Sequence, residues 1–258
     1  MLHQPTHCEG NEVYTNKGAL GVSMGVSDQS RIWEYFQNEG IDKFDGSIGR
    51  LSYIARLLKP GTRALNIGVG NGALEAFALD RGVEAWSLDP SKRAIESLKQ
   101  RLLPMRDRAF AGFAQTMPFP DGYFDDVVLS EVLEHLEPDV FDGAIAEVAR
   151  VLKPGGRMIA TVPAREKLSE AMVVCPCCST TFHRWGHTRS FTVESLIDLL
   201  GTQFTAEQAA EHFFVEWSTV GPAGKLKGLL KQLLSWRGIG TYGTGRTILY
   251  VGRKPARQ

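Results

Sequence analysis

Two carboxylates and an imidazole stand close together in the segment Ser130-Glu131-Val132-Leu133-Glu134-His135. On a helix, Glu131, Glu134 and His135 would occupy positions i, i+3 and i+4 and project from one face. Such a set suits a divalent ion such as Mg²⁺, Mn²⁺ or Zn²⁺. His135 could instead act as a general base without metal, or the side chains could simply line a pocket. The spacing therefore predicts a catalytic cluster whose chemistry has three open interpretations.

A second set of candidate ligands lies in the segment 163–189, which carries three of the four cysteines. Four residues there follow the spacing C-x2-C-x4-H-x3-H: Cys175, Cys178, His183 and His187. Thiolates and imidazoles at such spacing can close a tetrahedral zinc site, although the spacer is short for a zinc finger. Cys177 could replace Cys178, and His187 could instead join the catalytic cluster as a base or fourth ligand. We predict a structural zinc ion in this insert, with buried thiols as the alternative.

A glycine-rich turn follows a short apolar strand in the text Leu65-Asn66-Ile67-Gly68-Val69-Gly70-Asn71-Gly72. Glycine adopts positive φ at little cost and lets a ligand approach the backbone closely. Asp89 ends the next predicted strand about 20 residues later, where its carboxylate could accept hydrogen bonds from two ribose hydroxyls. The pattern predicts a nucleotide-type cofactor site. Its G-x-G-x-G spacing differs from the G-x-G-x-x-G of nicotinamide dehydrogenases.

These candidate residues need a scaffold that brings them to one place, and the intervening pattern supplies it. Apolar periodicity and turn signals predict helices at 48–58, 73–79, 91–102, 140–152 and 192–200. They predict strands at 64–67, 83–88, 125–129 and 157–162, with weaker ones within 204–211 and at 247–251. Regular alternation of this kind is typical of an α/β protein with a parallel, doubly wound sheet.

Four segments in this order resemble the class I S-adenosylmethionine-dependent methyltransferases, over roughly residues 51–162. They are ALNIGVGNG, WSLDPS, the stretch from PFPDGYFD to SEVLEHL, and RVLKPGGRMIATVP. The resemblance implies a Rossmann-like sheet of seven strands with the last strand antiparallel. It also implies that S-adenosylmethionine binds at the carboxyl ends of the first strands.

Carried over position by position, the resemblance implies a set of cofactor-binding residues: Asn66, Gly68, Gly70, Gly72, Asp89, Phe113, Ala114, Gln115 and Ser130. The three glycines would approach the methionine portion and ribose, Asp89 would bind the ribose, and Ala114 and Gln115 would flank the adenine. The sequence departs from the family twice. Asn66 replaces the usual acid of the glycine motif, and Phe113 replaces the usual adenine-facing aspartate, so that Phe113 could stack on the base.

The Glu-x-x-Glu-His text is similar to that of metal-dependent O-methyltransferases, including those of ubiquinone biosynthesis and the small-RNA 2′-O-methyltransferases. The text His187-Thr188-Arg189-Ser190-Phe191 resembles the H-x-R-x-F found in this branch and implies that His187 reaches the same pocket. The expected activity is methyl transfer to an oxygen of a small or lipid-linked acceptor. Nitrogen and carbon acceptors stay open, and a non-catalytic protein that contacts a partner through the Cys/His insert is the alternative.

Composition limits the partners and the compartment. The 29 Lys+Arg and 29 Asp+Glu residues cancel to zero net charge, so no nucleic-acid partner is expected. The chain has neither an apolar run of about 18 residues nor a signal-like N-terminus, and its few cysteines suit a reducing compartment. We therefore expect a cytoplasmic protein; nothing in the sequence predicts its oligomeric state.

Two flanking regions complete the predicted organisation. Residues 1–46 are weakly patterned and are interpreted as an N-terminal cap on a methyltransferase domain at 47–258. A basic helical lid is predicted at about 221–243, where leucines recur at helical spacing and no acidic residue follows Gly221. Such a helix could lie peripherally on an anionic membrane or pack on its own domain with solvated lysines.

Overall fold

The computed structural model describes residues 47–176, 179–214, 226, 228 and 246–256. The predicted N-terminal cap lies outside these residues, as do Cys177, Cys178 and almost all of the predicted lid. The described helices are α1 (Ile48–Leu57), α2 (Ala73–Asp80), α3 (Lys92–Arg101), α4 (Pro138–Val151) and α5 (Val193–Leu200). Short 3₁₀ turns occupy Leu103–Met105, Leu133–His135 and Leu168–Ala171.

The strands form one large sheet and a separate hairpin. The sheet contains β1 (Arg63–Ile67), β2 (Glu84–Asp89), β3 (Ala109–Ala111), β4 (Phe124–Ser130), β5 (Leu152–Pro163), β8 (Thr205–His212) and β9 (Thr247–Arg253). The hairpin pairs β6 (Met172–Val174) with β7 (Thr181–His183) within the predicted Cys/His insert.

The sheet order is β3-β2-β1-β4-β5-β9-β8. β1 pairs in parallel with both β2 and β4, and β9 runs antiparallel to β5 and β8. The expected seven-stranded, doubly wound sheet with an antiparallel last strand is thus confirmed. The strand order reverses between β1 and β4, so a crevice opens at their carboxyl ends, where α/β proteins bind ligands.

Apolar side chains alternate between the two faces of the sheet and explain its three layers. In β4, Val127 and Leu129 pack on one face with α4 and α5, while Val128 packs on the other with α1, α2 and α3. Within the described part of the chain, no helix combines the length and apolar character needed to cross a bilayer.

Local chemistry accounts for most of the boundaries. The Ser91 hydroxyl accepts a hydrogen bond from the Ala94 amide at the start of α3, and Thr192 and Ser195 form a capping box at α5. One expectation was wrong: the Lys-Pro-Gly-Gly text does not separate α4 from β5, since β5 begins at Leu152. Strand β5 continues through these four residues, and its pairing with β4 is irregular between Phe124 and Asp126.

Candidate functional site

A cavity of about 790 Å³ opens at the carboxyl ends of β1, β2 and β4. This volume lies within the range of about 300–1,000 Å³ that small-molecule sites occupy. Its wall includes most of the residues assigned to the cofactor from the sequence: Asn66, Gly68, Gly70, Asp89, Phe113, Ala114, Gln115 and Ser130. Glu131 and His135, which were assigned to catalysis, line it as well.

The glycines of the β1–α2 turn serve different purposes. Gly68, Gly70 and Gly72 all have positive φ, of 85°, 48° and 79°. A Cβ on Gly68 would lie 2.9 Å from Val132, and one on Gly72 would lie 2.6 Å from the Leu98 Cδ1 atom. Gly72 is the N-cap of α2 and is not among the described residues that line the cavity. The contact of Gly72 with the cofactor stays a prediction, and packing against α3 together with the positive φ already favours glycine at this position.

Asp89 is completely buried and holds the turn in place. Its Oδ2 atom accepts a hydrogen bond from the Val69 amide at 2.9 Å, and its Oδ1 atom accepts one from the Ser91 amide at 2.8 Å. A carboxylate offers about four acceptor sites, so these two bonds leave it able to accept hydroxyl donors from the cavity side. Asp89 thus has a structural role in the turn, and its ribose contact stays a prediction.

A buried polar network explains why Asn66 can replace the usual acid. Its amide donates to the Glu75 Oε1 atom at 2.8 Å and to the Gly68 carbonyl at 3.1 Å. The Ser87 hydroxyl donates to the same Glu75 oxygen at 2.7 Å. Burial raises the pKa of Glu75. The carboxyl behind the glycine turn therefore comes from α2, a residue that sequence reasoning missed because Glu75 stands in an otherwise apolar helical pattern.

The predicted helix across the Glu-x-x-Glu-His segment is wrong. Glu131 adopts a left-handed φ of 57° directly after β4, and only Leu133–His135 form a single 3₁₀ turn. The three side chains consequently do not share one helical face. Glu131 lies beside the cavity with its Oε1 atom 3.7 Å from Arg50 Nη1, and Arg50 also donates to the Ser130 hydroxyl.

The turn nevertheless brings Glu134 and His135 to His187. One potential ligand atom of each lies within 4.8 Å of the others, and the ring centroids of His135 and His187 are 4.6 Å apart. Neither carboxylate oxygen of Glu134 has a hydrogen-bond partner, and the side chain is 1% exposed. Burial, reinforced by the charge of Glu131, raises the pKa of Glu134 well above its usual value. Burial and the neighbouring His187 lower the pKa of His135 well below its usual value, so its imidazole is neutral at pH 7.

His187 also belongs to a second group, with Glu166 and His183. His187 Nδ1 is hydrogen-bonded to the Glu166 carboxylate, and the His183 and His187 rings stack with their centroids 4.7 Å apart. Glu166 follows β5 in the polar text Ala164-Arg165-Glu166-Lys167, which offers no sequence signal for such a contact. We refer to Glu134, His135, Glu166, His183 and His187 together as the histidine cluster.

The predicted zinc set is only partly visible. His183 and His187 lie together, but Cys175 does not join them in either of the two groups of potential ligands that the described residues form. Cys175 follows β6 and its amide donates to the Thr180 carbonyl. Cys178 lies outside the described residues, so the zinc site of the insert stays a prediction.

The strand order, the glycine turn and Asp89 define the fold of the class I S-adenosylmethionine-dependent methyltransferases. Residues 65–160 match a family model described as a methyltransferase domain. The match covers β1 to β5 without β9 and β8, and thus includes the whole glycine turn and the Glu-x-x-Glu-His text.

Known proteins are similar to part of the chain. The chain is 38% identical over 102 residues to a demethylmenaquinone methyltransferase of Beutenbergia cavernae, an alignment that covers 39% of this chain and 40% of that protein. It is 36% identical over 107 residues to the ubiquinone/menaquinone biosynthesis C-methyltransferase UbiE of Burkholderia mallei, over 40% and 43%. The chain thus spans less than half the length of these relatives.

A solved structure extends the likeness to most of the fold. The 1,6-didemethyltoxoflavin-N1-methyltransferase of Burkholderia thailandensis, with bound 1,6-didemethyltoxoflavin and S-adenosylhomocysteine, aligns with a TM-score of 0.61. The alignment covers 88% of this chain and 87% of that chain at 19% identity, and it shows a shared fold.

Proposed function

We propose that this protein transfers the methyl group of S-adenosylmethionine to an oxygen of a small or lipid-linked acceptor. The observation that carries the proposal is the single cavity wall shared by the glycine turn, Asp89 and His135. Cofactor and acceptor residues thereby face one space. The names of the similar proteins, which concern quinones and their precursors, support a lipid-linked aromatic acceptor.

The cavity fits the cofactor in shape and in donor set. Gly68 and Gly70 carry no side chain at the cavity wall, so a ligand can approach the backbone of the turn closely there. Asp89 offers carboxylate oxygens for ribose hydroxyls, and Phe113, 55% exposed at the wall, offers a ring face for adenine. When bound, S-adenosylmethionine supplies an electrophilic methyl group on a sulfonium. The residues of the chain must then align an acceptor atom and remove its proton.

His135 is the candidate for proton removal. Its Nδ1 atom lies 3.2 Å from the Gly186 carbonyl, which only accepts, so the ring proton resides on Nδ1 and the lone pair on Nε2. The depressed pKa keeps this ring neutral and hence able to accept a proton near pH 7. Because deprotonation of a hydroxyl makes the acceptor a stronger nucleophile, this geometry supports an acceptor that carries a hydroxyl group.

A divalent ion is the second means of activating the acceptor. Glu134, His135 and His187 present an unpartnered carboxylate and two imidazoles, a donor set that suits Mn²⁺, Zn²⁺ or Mg²⁺. An ion held there would lower the pKa of a bound hydroxyl. Glu131, on the cavity side, would then position the acceptor with Arg50 and would not complete the ion's ligands.

A carbon acceptor is the second candidate function, since one similar protein is named as a C-methyltransferase. Carbon methylation of an aromatic ring also needs a base at the ring hydroxyl, so the same His135 would serve. Product analysis separates the two, because the methyl ether of an O-methylated product and the aryl methyl of a C-methylated product differ in their carbon chemical shifts.

Two measurements test the proposal. Titration calorimetry should show that the full chain binds S-adenosylhomocysteine; absence of binding by folded protein would reject a methyltransferase and favour a non-catalytic role. Incubation with isotope-labelled S-adenosylmethionine and a set of hydroxylated quinone precursors should give labelled product.

Single substitutions then test the predicted catalytic residues. Glu131→Gln and His135→Ala should lower turnover about 100-fold or more, with nearly unchanged affinity for S-adenosylhomocysteine. Glu170→Gln is the matched control, because Glu170 is exposed and its carboxylate pairs with the exposed Lys167. Loss of activity on thorough chelation would indicate the ion, and activity that survives chelation but not His135→Ala would indicate a general base. Full activity in both variants would exclude Glu131 and His135 from the mechanism.

A further inference from the structure

The Glu166 carboxylate lies between two histidines and faces each with a different oxygen. Its Oε2 atom bonds to His187 Nδ1, and its Oε1 atom lies 3.5 Å from His183 Nε2. An ionised carboxylate only accepts hydrogen bonds, so the His187 proton in this contact belongs to Nδ1. The lone pair of the neutral His187 ring is consequently on Nε2.

His183 has the opposite arrangement. Its Nδ1 atom accepts the backbone amide of His187 at 3.0 Å and is also approached by the Trp185 amide at 3.4 Å. A ring nitrogen that accepts an N–H carries no proton, so neutral His183 is protonated on Nε2, the atom that faces Glu166. This Nε2 atom lies 3.5 Å from Glu166 Oε1 and makes no hydrogen bond to a described residue, whereas Nδ1 closes the turn that leads to His187.

The same reasoning distinguishes supporting residues from reacting ones within the histidine cluster. His135 and His187 each direct Nδ1–H to an oxygen, of Gly186 and Glu166 respectively, and each carries its lone pair on Nε2. Glu134, grouped with both rings, has no hydrogen-bond partner on either oxygen. Glu166, in contrast, bonds to His187, and His183 uses its Nδ1 atom on the turn before His187, while its Nε2 atom makes no hydrogen bond within the described part of the chain.

We propose that Glu166 is a positioning residue that fixes the Nδ1–H tautomer and the orientation of His187, while His183 holds the backbone turn before His187. His187 thereby presents Nε2 as an acceptor to the group it forms with Glu134 and His135. Histidines that bind metals or act as bases commonly donate their second N–H to a carboxylate, which fixes the ring and raises its basicity. The assignment rests on the proposed function only for the consequence in catalysis, since the tautomers exist without turnover.

Long-range proton–nitrogen correlation spectra of the ¹⁵N-labelled full chain test the assignment. In the wild type near pH 7.5, we expect His187 and His135 with the proton on Nδ1 and His183 with the proton on Nε2. In Glu166→Ala, His187 should lose its preference for Nδ1–H and populate the other tautomer. Glu166→Gln should retain it, because the side-chain carbonyl still accepts the bond, and this near-isosteric variant covers the case in which the alanine variant fails to fold. Glu170→Gln, on the adjoining 3₁₀ turn, should leave all three rings unchanged.

Turnover supplies the second readout. Glu166→Ala should lower kcat about 10- to 100-fold with unchanged affinity for S-adenosylhomocysteine, and Glu166→Gln should recover part of the loss. A wild-type His187 protonated on Nε2, or a tautomer unchanged in Glu166→Ala, would overturn the inference even if the protein binds cofactor and methylates. Failure to bind S-adenosylhomocysteine would instead reject the proposed function and leave the spectroscopic result standing.

Discussion

Removal of the Asp89 carboxylate should loosen the glycine turn before any ligand binds. Asp89→Ala deletes the acceptor of the Val69 amide, which is buried, and of the Ser91 amide, which is partly buried. A buried donor left unpaired costs about 1–3 kcal/mol, and the Ser91 amide costs less because water can reach it. Together they predict a loss of about 2–4 kcal/mol in the free energy of unfolding. Relief of repulsion toward Glu75, whose pKa the Asp89 charge helps to raise, offsets a small part.

Urea denaturation of the ligand-free protein measures this loss. With a slope of about 2 kcal/mol per molar urea, the midpoint should fall by about 1–2 M. Asp89→Asn should show a smaller loss, because its one remaining oxygen can still accept one of the two amides. Asp107→Ala is the control, since Asp107 is exposed and lies just before β3. An Asp89→Ala midpoint equal to that of the wild type would refute the anchoring role and leave Asp89 with only its predicted ribose contact.

Two further perturbations follow from the same structure. Gly72→Ala should destabilise the protein by about 1–3 kcal/mol more than Gly61→Ala in thermal or urea unfolding. Both glycines have φ near 80°, but only a Cβ on Gly72 would meet a neighbour, the Leu98 side chain at 2.6 Å. Equal losses would show that the Leu98 side chain moves aside. Burial raises the pKa of Glu134 above its unfolded value near 4.5, so Glu134 binds more protons in the native state than in the unfolded state. The contribution of Glu134 to the free energy of unfolding therefore falls as the pH rises from 4.5 toward the folded pKa. In buffer that contains a chelator, the free energy of unfolding of Glu134→Gln relative to the wild type should therefore increase with pH over that window. Parallel pH profiles of the two proteins would contradict the raised pKa of the buried Glu134 carboxylate.

The alternation of strands and helices and the glycine turn were predictable from the sequence because both depend on local constraints. Apolar periodicity selects helix or strand within a short window, and positive φ selects glycine at the turn. Asp89 could be placed for the same reason, since a parallel sheet brings the end of β2 beside the end of β1 whatever the side chains are. Strand β3 and the β6–β7 hairpin escaped prediction because each strand has only three residues and no recognisable period.

Tertiary structure determines which residues come together in the histidine cluster. Glu131 and Glu134 are three residues apart, but the left-handed φ of Glu131 breaks the expected helix and sends the two carboxylates to different surroundings. Glu166 is 21 residues from His187 in sequence, and no local pattern reports that β5 and the hairpin fold back to join them. Glu75 likewise bonds to Asn66 behind the glycine turn, although it comes from a helix whose other residues are mostly apolar. Residue type and spacing determined which groups could do chemistry, whereas burial and the path of the loops determined which nitrogen and which oxygen face one another.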